Sequence, residues 1–269
     1  MVRQPLGQHF LADAGWRGKI RETLPLLARE TWVEIGAGHG ELTQSLAGQG
    51  RRVIAIETDT RLAKRLGERI LAAPANWPGV EVVSTDVLRA DLGRLTGDRF
   101  RVYGNLPYYI ASPILRHLFR WAAQIDSIHV VIQFEVAARI VARPGLREYG
   151  YLSARCQFYA KPDIVLRIPP GAFRPRPRVT SALVRLTLPG ERSHLNIADD
   201  DRFLRFIQTC FGQKRKTLRN NLRQVADDAQ IKAALAAGGL RPDSRAEQLA
   251  LPQFASLFDE LGNSFKKTG

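Results

Sequence analysis

Short apolar runs rich in β-branched residues alternate with longer stretches of helical periodicity through the first part of the chain. The runs occupy residues 31–35, 52–56, 80–84, 100–104 and 128–133. This alternation predicts an α/β fold built on a doubly wound sheet of parallel strands. A later run at residues 181–188 alternates apolar and polar positions. It predicts a last strand at the edge of the sheet, and the pattern leaves its direction open.

The strand pattern ends at Pro189-Gly190, and the chain after about Asn196 has the periodicity of helices. Gly238-Gly239 and Pro242 separate these helical stretches. We therefore predict a larger domain over residues 1–190 and a small all-helical domain over residues 196–269.

The charge of the chain narrows the choice of partners. Its 40 Lys and Arg residues against 26 Asp and Glu give a formal net charge of +14. A polyanionic partner fits this excess, although nucleic acid, an acidic membrane surface and a plain basic enzyme remain open on charge alone.

Cys156 and Cys210 lie far apart in apolar-aromatic stretches and predict buried thiols. With no apolar run of about 18 residues and no metal-ligand spacing, we expect a soluble cytoplasmic protein without a metal.

A glycine-rich turn follows the first predicted strand. Gly36-Ala37-Gly38-His39-Gly40 lets the backbone turn sharply and approach a ligand closely. The alternative is a tight strand-to-helix turn with no ligand. A nicotinamide-dependent oxidoreductase would share this turn, but Glu41 stands where the third glycine of its G-x-G-x-x-G spacing would be.

Carboxylates follow the next two strands. Glu57 ends the second strand, where it can accept both hydroxyls of a ribose. Asp86 follows the third strand, where it can accept a hydrogen bond from the amino group of an adenine. Acidic residues in these positions also cap helices, and that alternative stays open for both.

Asn105-Leu106-Pro107-Tyr108 follows the fourth strand at the same edge of the sheet. An exocyclic adenine amine is a poor nucleophile because its lone pair is delocalised. The Asn105 side-chain oxygen and the Leu106 carbonyl, restrained by Pro107, can accept hydrogen bonds from such an amine. Tyr108 can stack on the base. The alternative is a simple turn beside a core aromatic.

These residues together resemble the KsgA family of small-subunit ribosomal RNA adenine dimethyltransferases. The upstream blocks are Gly7-Gln8-His9-Phe10-Leu11, Val33-Glu34-Ile35-Gly36-Ala37-Gly38 with Leu42-Thr43, and Gly104-Asn105-Leu106-Pro107-Tyr108. The downstream blocks are Gln133 with Glu135-Val136 and Arg139, Tyr149-Gly150 with Leu152-Ser153, Pro169-Pro170 with Phe173-Arg174-Pro175, Pro177-Arg178-Val179, and residues 211–218.

The resemblance implies a Rossmann-like, seven-stranded class I methyltransferase sheet followed by a small C-terminal helical domain that binds RNA. It implies S-adenosylmethionine as methyl donor and S-adenosylhomocysteine as its product. The implied reaction forms two adjacent N6,N6-dimethyladenosines near the 3′ end of 16S rRNA during late assembly of the small subunit. We expect a cytoplasmic monomer.

The resemblance also implies roles for individual residues. The implied cofactor contacts are Gln8, His9, Leu11, Gly36, Gly38, Glu57, Asp86 and Asn105. The implied catalytic residues are Asn105, Leu106, Pro107, Tyr108 and Phe173, with Tyr108 and Phe173 on the two faces of the target base. Phe173 has the alternative of a strand-edge anchor.

Two residues depart from the common family pattern. His9 stands where many relatives carry Asn, and a histidine can add pH dependence to cofactor binding. Tyr109 stands where a polar Asn is common, and it either narrows the base pocket or fills core space. We expect Tyr109 in the core.

Two basic clusters are candidates for phosphate contacts. They are Arg174, Arg176 and Arg178, and then Lys214, Arg215, Lys216, Arg219 and Arg223. A solvated helix face is the alternative for the second cluster. The Phe-x-Pro-x-Pro block and residues 214–217 favour the small-subunit enzyme over a resistance enzyme that modifies large-subunit rRNA. A ribosome-assembly or transcription factor that binds cofactor without catalysis is a further alternative.

Overall fold

The computed structural model describes residues 9–213, 215–262 and 265 of the chain. The strands are β1 (Phe10–Leu11), β2 (Thr31–Ile35), β3 (Arg52–Glu57), β4 (Val80–Ser84), β5 (Phe100–Asn105), β6 (Ile125–Gln133), β7 (Lys161–Ile168), β8 (Phe173–Arg174) and β9 (Ser181–Thr187). The helices are α1 (Ala14–Thr23), α2 (Thr43–Leu46), α3 (Thr60–Ala72), α4 (Leu92–Thr96), α5 (Ala111–Leu118), α6 (Phe134–Val141), α7 (Tyr151–Tyr159), α8 (Asp200–Cys210), α9 (Leu218–Leu222), α10 (Asp228–Ala237) and α11 (Leu251–Leu261).

A seven-stranded sheet has the order β4-β3-β2-β5-β6-β9-β7. Strands β2 to β6 pair in parallel, and β9 pairs with β6 in antiparallel orientation. The predicted α/β class and seven-stranded sheet are thus confirmed. The predicted edge position of the last strand is wrong, because β9 lies between β6 and β7 and β7 takes the edge.

The inner parallel strands β2 and β3 are largely apolar and are buried on both faces, whereas no residue of β4 is fully buried. Trp32 and Val33 of β2 are fully buried, as are Val53 and Ile54 of β3. Such runs predict strands well, and β2 and β4 have the bounds expected from the sequence.

The chain order of the strands reverses beside β2. From β2 the chain runs outward through β3 and β4, and it then returns to β5 on the other side of β2. The register pairs Ile35 with Gly104, so the glycine turn after β2 and Asn105 at the end of β5 emerge side by side. Ligands bind in open α/β sheets at such a reversal.

A second, two-stranded sheet joins distant parts of the chain. β1 pairs with β8 in antiparallel orientation, with Leu11 opposite Phe173. Both side chains belong to one buried cluster with Ile20, Trp32 and Leu183. This pairing fixes the segment at His9 to the sheet.

The chain divides into two compact units, one of Met1–Ala137 with Pro162–Leu188 and the other of Ala138–Lys161 with Pro189–Gly269. The second unit is helical, and aromatic side chains form much of its core. The Phe158 and Phe203 ring centroids lie 5.4 Å apart, and Phe203 is equally close to Phe258. The helical unit thus includes a segment that precedes β7 in the chain, while the domain limits at residues 190 and 196 stay a prediction.

Cys156 and Cys210 are buried free thiols, as expected. Burial raises the pKa of Cys156 to about 12, so this thiol is unreactive at neutral pH. Over the described part of the chain, no helix is both long and apolar enough to cross a membrane.

Candidate active site

The glycine turn after β2 needs glycine at the positions the sequence indicated. Gly36 and Gly38 have φ of +73° and +58°, in the left-handed region. A Cβ atom on Gly38 would lie 3.1 Å from the Phe10 ring. The turn therefore passes close to β1, and a side chain there would push the two segments apart.

Glu57 holds this turn. Its Oε2 accepts a hydrogen bond from the Gly38 amide at 2.8 Å, and its Oε1 accepts one from the Asp59 amide at 2.9 Å. The Glu57 side chain is buried. A carboxylate oxygen can accept more than one hydrogen bond, so Glu57 keeps acceptor capacity toward a ligand.

A cleft opens at the ends of β2 and β5, with about 450 Å³ of empty space including open solvent. It is lined by His9, Phe10, Gly36, Glu57, Asn105, Leu106, Pro107 and Tyr108. The structure thus brings together the glycine turn, Glu57 as the predicted ribose ligand, and the whole Asn105–Tyr108 motif, which are far apart in sequence.

The Asn105 side chain has a defined orientation. Its Nδ2 donates a hydrogen bond to the His9 backbone carbonyl at 2.8 Å. A carbonyl can only accept, so this contact settles which end of the amide is nitrogen. Oδ1 is therefore presented as the acceptor that the amine chemistry requires.

The backbone around Leu106 is held from both sides. The Leu106 amide donates to the Val131 carbonyl at 3.0 Å, and the Ile110 amide donates to the Pro107 carbonyl at 3.1 Å. Among the described residues, no donor is hydrogen-bonded to the Leu106 carbonyl. This carbonyl and Asn105 Oδ1 are two acceptors on one rigid turn.

Tyr108 is half-buried at the cleft. Its hydroxyl and the Ser181 hydroxyl lie 2.9 Å apart, and burial raises the pKa of the phenol, so it stays neutral. The Tyr108 ring stacks on the His9 ring, with centroids 5.5 Å apart. The His9 Nδ1 donates to the Pro175 carbonyl at 2.7 Å. His9 thereby links the aromatic of the cleft to the Arg-Pro segment.

Phe173 does not form the second face of the base pocket in this structure. Only 1% of its surface is exposed, and it packs in the cluster beneath β1 and β8. Its position is that of a strand-edge anchor, because its pairing with Leu11 directs it into the core. Nor is Tyr109 a core residue, since it is 65% exposed.

A second cleft adjoins the first and shares Phe10, Gly36 and Asn105 with it. Its charged lining is Arg17, Glu34 and Glu41, which the sequence did not indicate as site residues. The acidic position before the glycine turn was the available signal for Glu34. Arg17 had none, because an arginine on an amphipathic helix has no distinctive spacing.

Glu34 is unusual in being a buried carboxyl in this cleft. Its Oε2 has no hydrogen-bond partner among the described residues. Burial raises the pKa of Glu34 to about 8, although the nearby Thr43 hydroxyl lowers it in part, and the charges of Glu41 and Glu57 raise it to a smaller extent. Arg17 is half-buried, and its Nη1 donates to the Leu11 and Ala12 carbonyls at 2.9 and 2.7 Å. The cleft therefore combines a buried carboxyl that has an unpartnered oxygen with a held guanidinium.

Asp86 lies at the same edge of the sheet as Glu57, since the Thr85 amide donates to the Glu57 carbonyl at 3.0 Å. Its Oδ1 accepts a hydrogen bond from the Leu88 amide at 2.9 Å, which caps the following helical turn. The structure thus shows the capping role, and the adenine contact stays a prediction. Gln8 and Lys214 lie outside the described residues.

The basic residues differ in their surroundings. Arg174, Arg176 and Arg178 are exposed, as are Arg215, Lys216 and Arg223. Arg219 instead donates from Nε and Nη2 to the two oxygens of Asp228 at 2.5 and 2.6 Å. Asp228 also pairs with Lys232 at 3.0 Å, so one carboxylate is shared by two cations, and the phosphate contact of Arg219 stays a prediction.

Comparison with known proteins identifies the family of the chain. The family profile "Ribosomal RNA adenine dimethylase" matches residues 1–263. Ribosomal RNA small subunit methyltransferase A of Acidobacterium capsulatum is 44% identical, over 95% of this chain and 90% of the relative. The protein of that name in Koribacter versatilis is 41% identical, over 95% of this chain and 93% of the relative.

Solved structures agree in fold. A dimethyladenosine transferase from Plasmodium falciparum has a TM-score of 0.77 at 23% identity, covering 95% of this chain and 98% of that chain. The 23S rRNA methyltransferase ErmE has a TM-score of 0.70 at 28% identity, covering 94% and 99%. On the family match and the identities above, the chain belongs to the ribosomal RNA adenine dimethylase family and is an S-adenosylmethionine-dependent rRNA adenine dimethyltransferase.

Proposed function

We propose that this enzyme dimethylates N6 of two adjacent adenosines near the 3′ end of 16S rRNA, in the small subunit or its precursor, late in assembly. It acts as a monomer in the cytoplasm. The observation that carries the proposal is the paired acceptors on one turn, Asn105 Oδ1 and the Leu106 carbonyl, beside the glycine turn and Glu57.

The residues present fit S-adenosylmethionine. Glu57 faces the first cleft and suits the ribose hydroxyls, while Gly36 and Gly38 let the backbone come close. The cofactor ends in an amino acid, which carries an ammonium and a carboxylate. The second cleft offers a match for each, since the unpartnered Glu34 Oε2 is an acceptor for the ammonium and Arg17 a donor for the carboxylate. We assign His9, Leu11 and Asp86 to this site as well, and Gln8 from the sequence alone.

When bound, S-adenosylmethionine supplies an activated methyl on a sulfonium. The protein's part is to place the amine. Asn105 Oδ1 and the Leu106 carbonyl would accept hydrogen bonds from the adenine N6 amino group, which would favour a pyramidal nitrogen with its lone pair available for methylation. Positioning of this kind supplies much of a rate enhancement, and the proton can leave after transfer. No side chain of the cleft has to act as a strong base.

Tyr108 receives the target base. The adenine must leave its stack to reach the amine site, and stacking on an aromatic ring returns about 1–3 kcal/mol. The neutral phenol of Tyr108 is hydrogen-bonded to Ser181 and provides that surface once the His9 ring moves off it. Arg174, Arg176 and Arg178 of the same unit, and Arg215 and Lys216 of the helical unit, hold RNA phosphates.

The test compares Asn105→Ala with Asn220→Ala, an exposed asparagine outside the cleft. Each protein is incubated with undermethylated small subunits and labelled S-adenosylmethionine, and cofactor binding is measured by calorimetry. We expect Asn105→Ala to lose methylation by roughly 100-fold or more while it still binds cofactor measurably, and Asn220→Ala to match the unaltered enzyme. Near-normal turnover by Asn105→Ala would overturn the proposed mechanism.

A further inference from the structure

Tyr109 is an aromatic side chain that the fold leaves in solvent beside the cleft. It is 65% exposed, and it is the one aromatic among the large hydrophobic side chains that are exposed in the described ranges. Its chain neighbour Tyr108 is half-buried and hydrogen-bonded to Ser181. Two consecutive tyrosines thus differ in environment, since Tyr108 lines the cleft and Tyr109 is exposed to solvent.

The backbone presents Tyr109 rigidly. Pro107 restricts φ, the Ile110 amide donates to the Pro107 carbonyl at 3.1 Å, and the Ile114 amide continues the ladder to Ile110 at 3.0 Å. Ala111, the first residue of α5, is 1% exposed and anchors the helix in the core. The backbone that carries the ring therefore needs little ordering when a partner covers it, which is a property of good binding surfaces.

The surroundings identify the partner. The formal net charge is +14, and exposed Arg174 and Arg176 flank Pro175, whose carbonyl accepts the hydrogen bond from His9. Because His9 stacks on Tyr108, this basic segment lies next to the cleft. Exposed aromatics interleaved with cationic side chains are typical of surfaces that bind single-stranded nucleic acid, in which rings stack on bases and cations meet phosphates.

Extrusion of the target base creates the need for such a ring. When one adenine leaves the stack and enters the cleft, the next base along the strand loses a stacking neighbour. Tyr109 directly follows Tyr108, whose ring lines the cleft, so it is an exposed aromatic one residue along the chain from the residue proposed to receive the target base. We propose that Tyr109 is a stacking platform for the unpaired base adjacent to the target adenosine. This inference rests on the proposed function and adds a second base-binding position to it.

The test uses three variants of the full-length enzyme, Tyr109→Ala, Tyr109→Leu and Tyr109→Trp, with Leu71→Ala as the control for removing an exposed apolar side chain. Steady-state methylation of undermethylated small subunits separates KM for the subunit from kcat, and calorimetry measures cofactor binding. We expect the Ala and Leu variants to raise KM roughly tenfold, with kcat and cofactor affinity nearly unchanged. The Trp variant and Leu71→Ala should behave as the unaltered enzyme.

A direct readout uses short RNA strands with 2-aminopurine on either side of the target adenosine. Stacking on Tyr109 should quench its fluorescence in the unaltered enzyme and in Tyr109→Trp, and the quenching should be lost in Tyr109→Ala. An unchanged KM in Tyr109→Ala, full retention by Tyr109→Leu, or no tyrosine-dependent quenching on either side would overturn the inference. If the unaltered enzyme self-associated and Tyr109→Ala did not, Tyr109 would be assigned to a contact between enzyme molecules, and the inference would be overturned. Absence of methylation by the unaltered enzyme would instead refute the proposed function.

Discussion

The Asn105 side-chain nitrogen donates a hydrogen bond to the His9 backbone carbonyl at 2.8 Å. Through this contact the segment at β1 determines how the amide at the end of β5 is turned. The His9 ring in turn stacks on Tyr108 and donates to the Pro175 carbonyl. One short series of contacts therefore connects the amine-binding turn, the base-binding aromatic and the basic segment.

Because of this hydrogen bond, we expect Asn105→Asp to have a large effect on methylation although the two side chains are nearly equal in size. A carboxylate at this position cannot donate, so an oxygen would face the His9 carbonyl oxygen. We expect kcat for rRNA methylation to fall roughly 100-fold or more, as in sites where an oriented amide is removed. Single-turnover methylation at saturating cofactor measures it. Turnover within a few-fold of the unaltered enzyme would show that the amide orientation is unimportant.

Glu57→Gln tests the carboxylate that holds the glycine turn. Both Glu57 oxygens accept backbone hydrogen bonds, and a Gln side chain can replace only one of them. We expect a loss of about 1–3 kcal/mol in unfolding free energy, because a buried donor is left without an acceptor, together with weaker cofactor binding. The matched control is Glu81→Gln, which alters only an exposed ion pair with Arg52. Equal stability of the two variants in urea unfolding would contradict the assignment.

Glu34 predicts a pH dependence of stability. Burial raises the pKa of Glu34 to about 8, whereas a glutamate in an unfolded chain titrates near 4.3. Between roughly pH 4.5 and 8 the unfolded chain has released a proton that the folded protein keeps. Folding stability contributed by this group therefore falls as pH rises through that window.

Glu34→Gln removes this titration. We expect the variant to gain unfolding free energy relative to the unaltered protein as pH rises from about 5 to 8, by several kcal/mol since each pKa unit corresponds to about 1.4 kcal/mol. Urea unfolding without cofactor at a series of pH values measures the difference. A difference that does not change with pH would show that Glu34 titrates normally.

Substitutions of Phe173 distinguish a packing role from a base-binding role for this side chain. Phe173→Ala removes a fully buried ring and should lower unfolding free energy by about 3–5 kcal/mol. Phe173→Leu keeps most of the volume and should retain rRNA methylation at temperatures where it is folded. A Phe173→Leu enzyme that is stable and binds cofactor but fails to methylate would restore the base-stacking role predicted from the sequence.

The basic residues of the helical unit should differ in their effect on RNA binding. Neutralising the exposed Arg215 and Lys216 together should reduce the slope of log affinity against log salt by about one unit for each cation. Arg219→Ala should change this slope less, because Asp228 already pairs with that guanidinium. Titrations of small-subunit rRNA at several salt concentrations distinguish the residues. An equal effect of Arg219→Ala would mean that RNA displaces Asp228.

The sequence predicts the parallel strands and the edge at which they end, because the buried inner strands have nearly continuous apolar runs and β4 is rich in valine. It does not predict β1, β7 or β8. β1 and β8 are two residues long and depend on each other for pairing, and β7 begins Lys161-Pro162-Asp163 before its apolar part. Their positions depend on pairing with segments that are far away in the chain, and a local sequence pattern does not show such pairing.

The same limit applies to the site. The glycine turn, Glu57 and the Asn105 motif follow strand ends and were predicted from the pattern. The opposite environments of Phe173 and Tyr109 were not, because an aromatic residue next to a motif has the same local signature whether it packs or is exposed. Arg17 was missed since only the fold brings α1 to the glycine turn.

The most direct test of the proposed dimethylation of small-subunit rRNA is to map the methylated nucleotides. Undermethylated small subunits and, separately, large subunits are incubated with the enzyme and S-adenosylmethionine, and the rRNA is digested and analysed by mass spectrometry. We expect N6,N6-dimethyladenosine at two adjacent positions near the 3′ end of 16S rRNA, absent when Asn105 is replaced by Ala. Methylation confined to the large subunit, or undiminished in the Asn105→Ala enzyme, would contradict it.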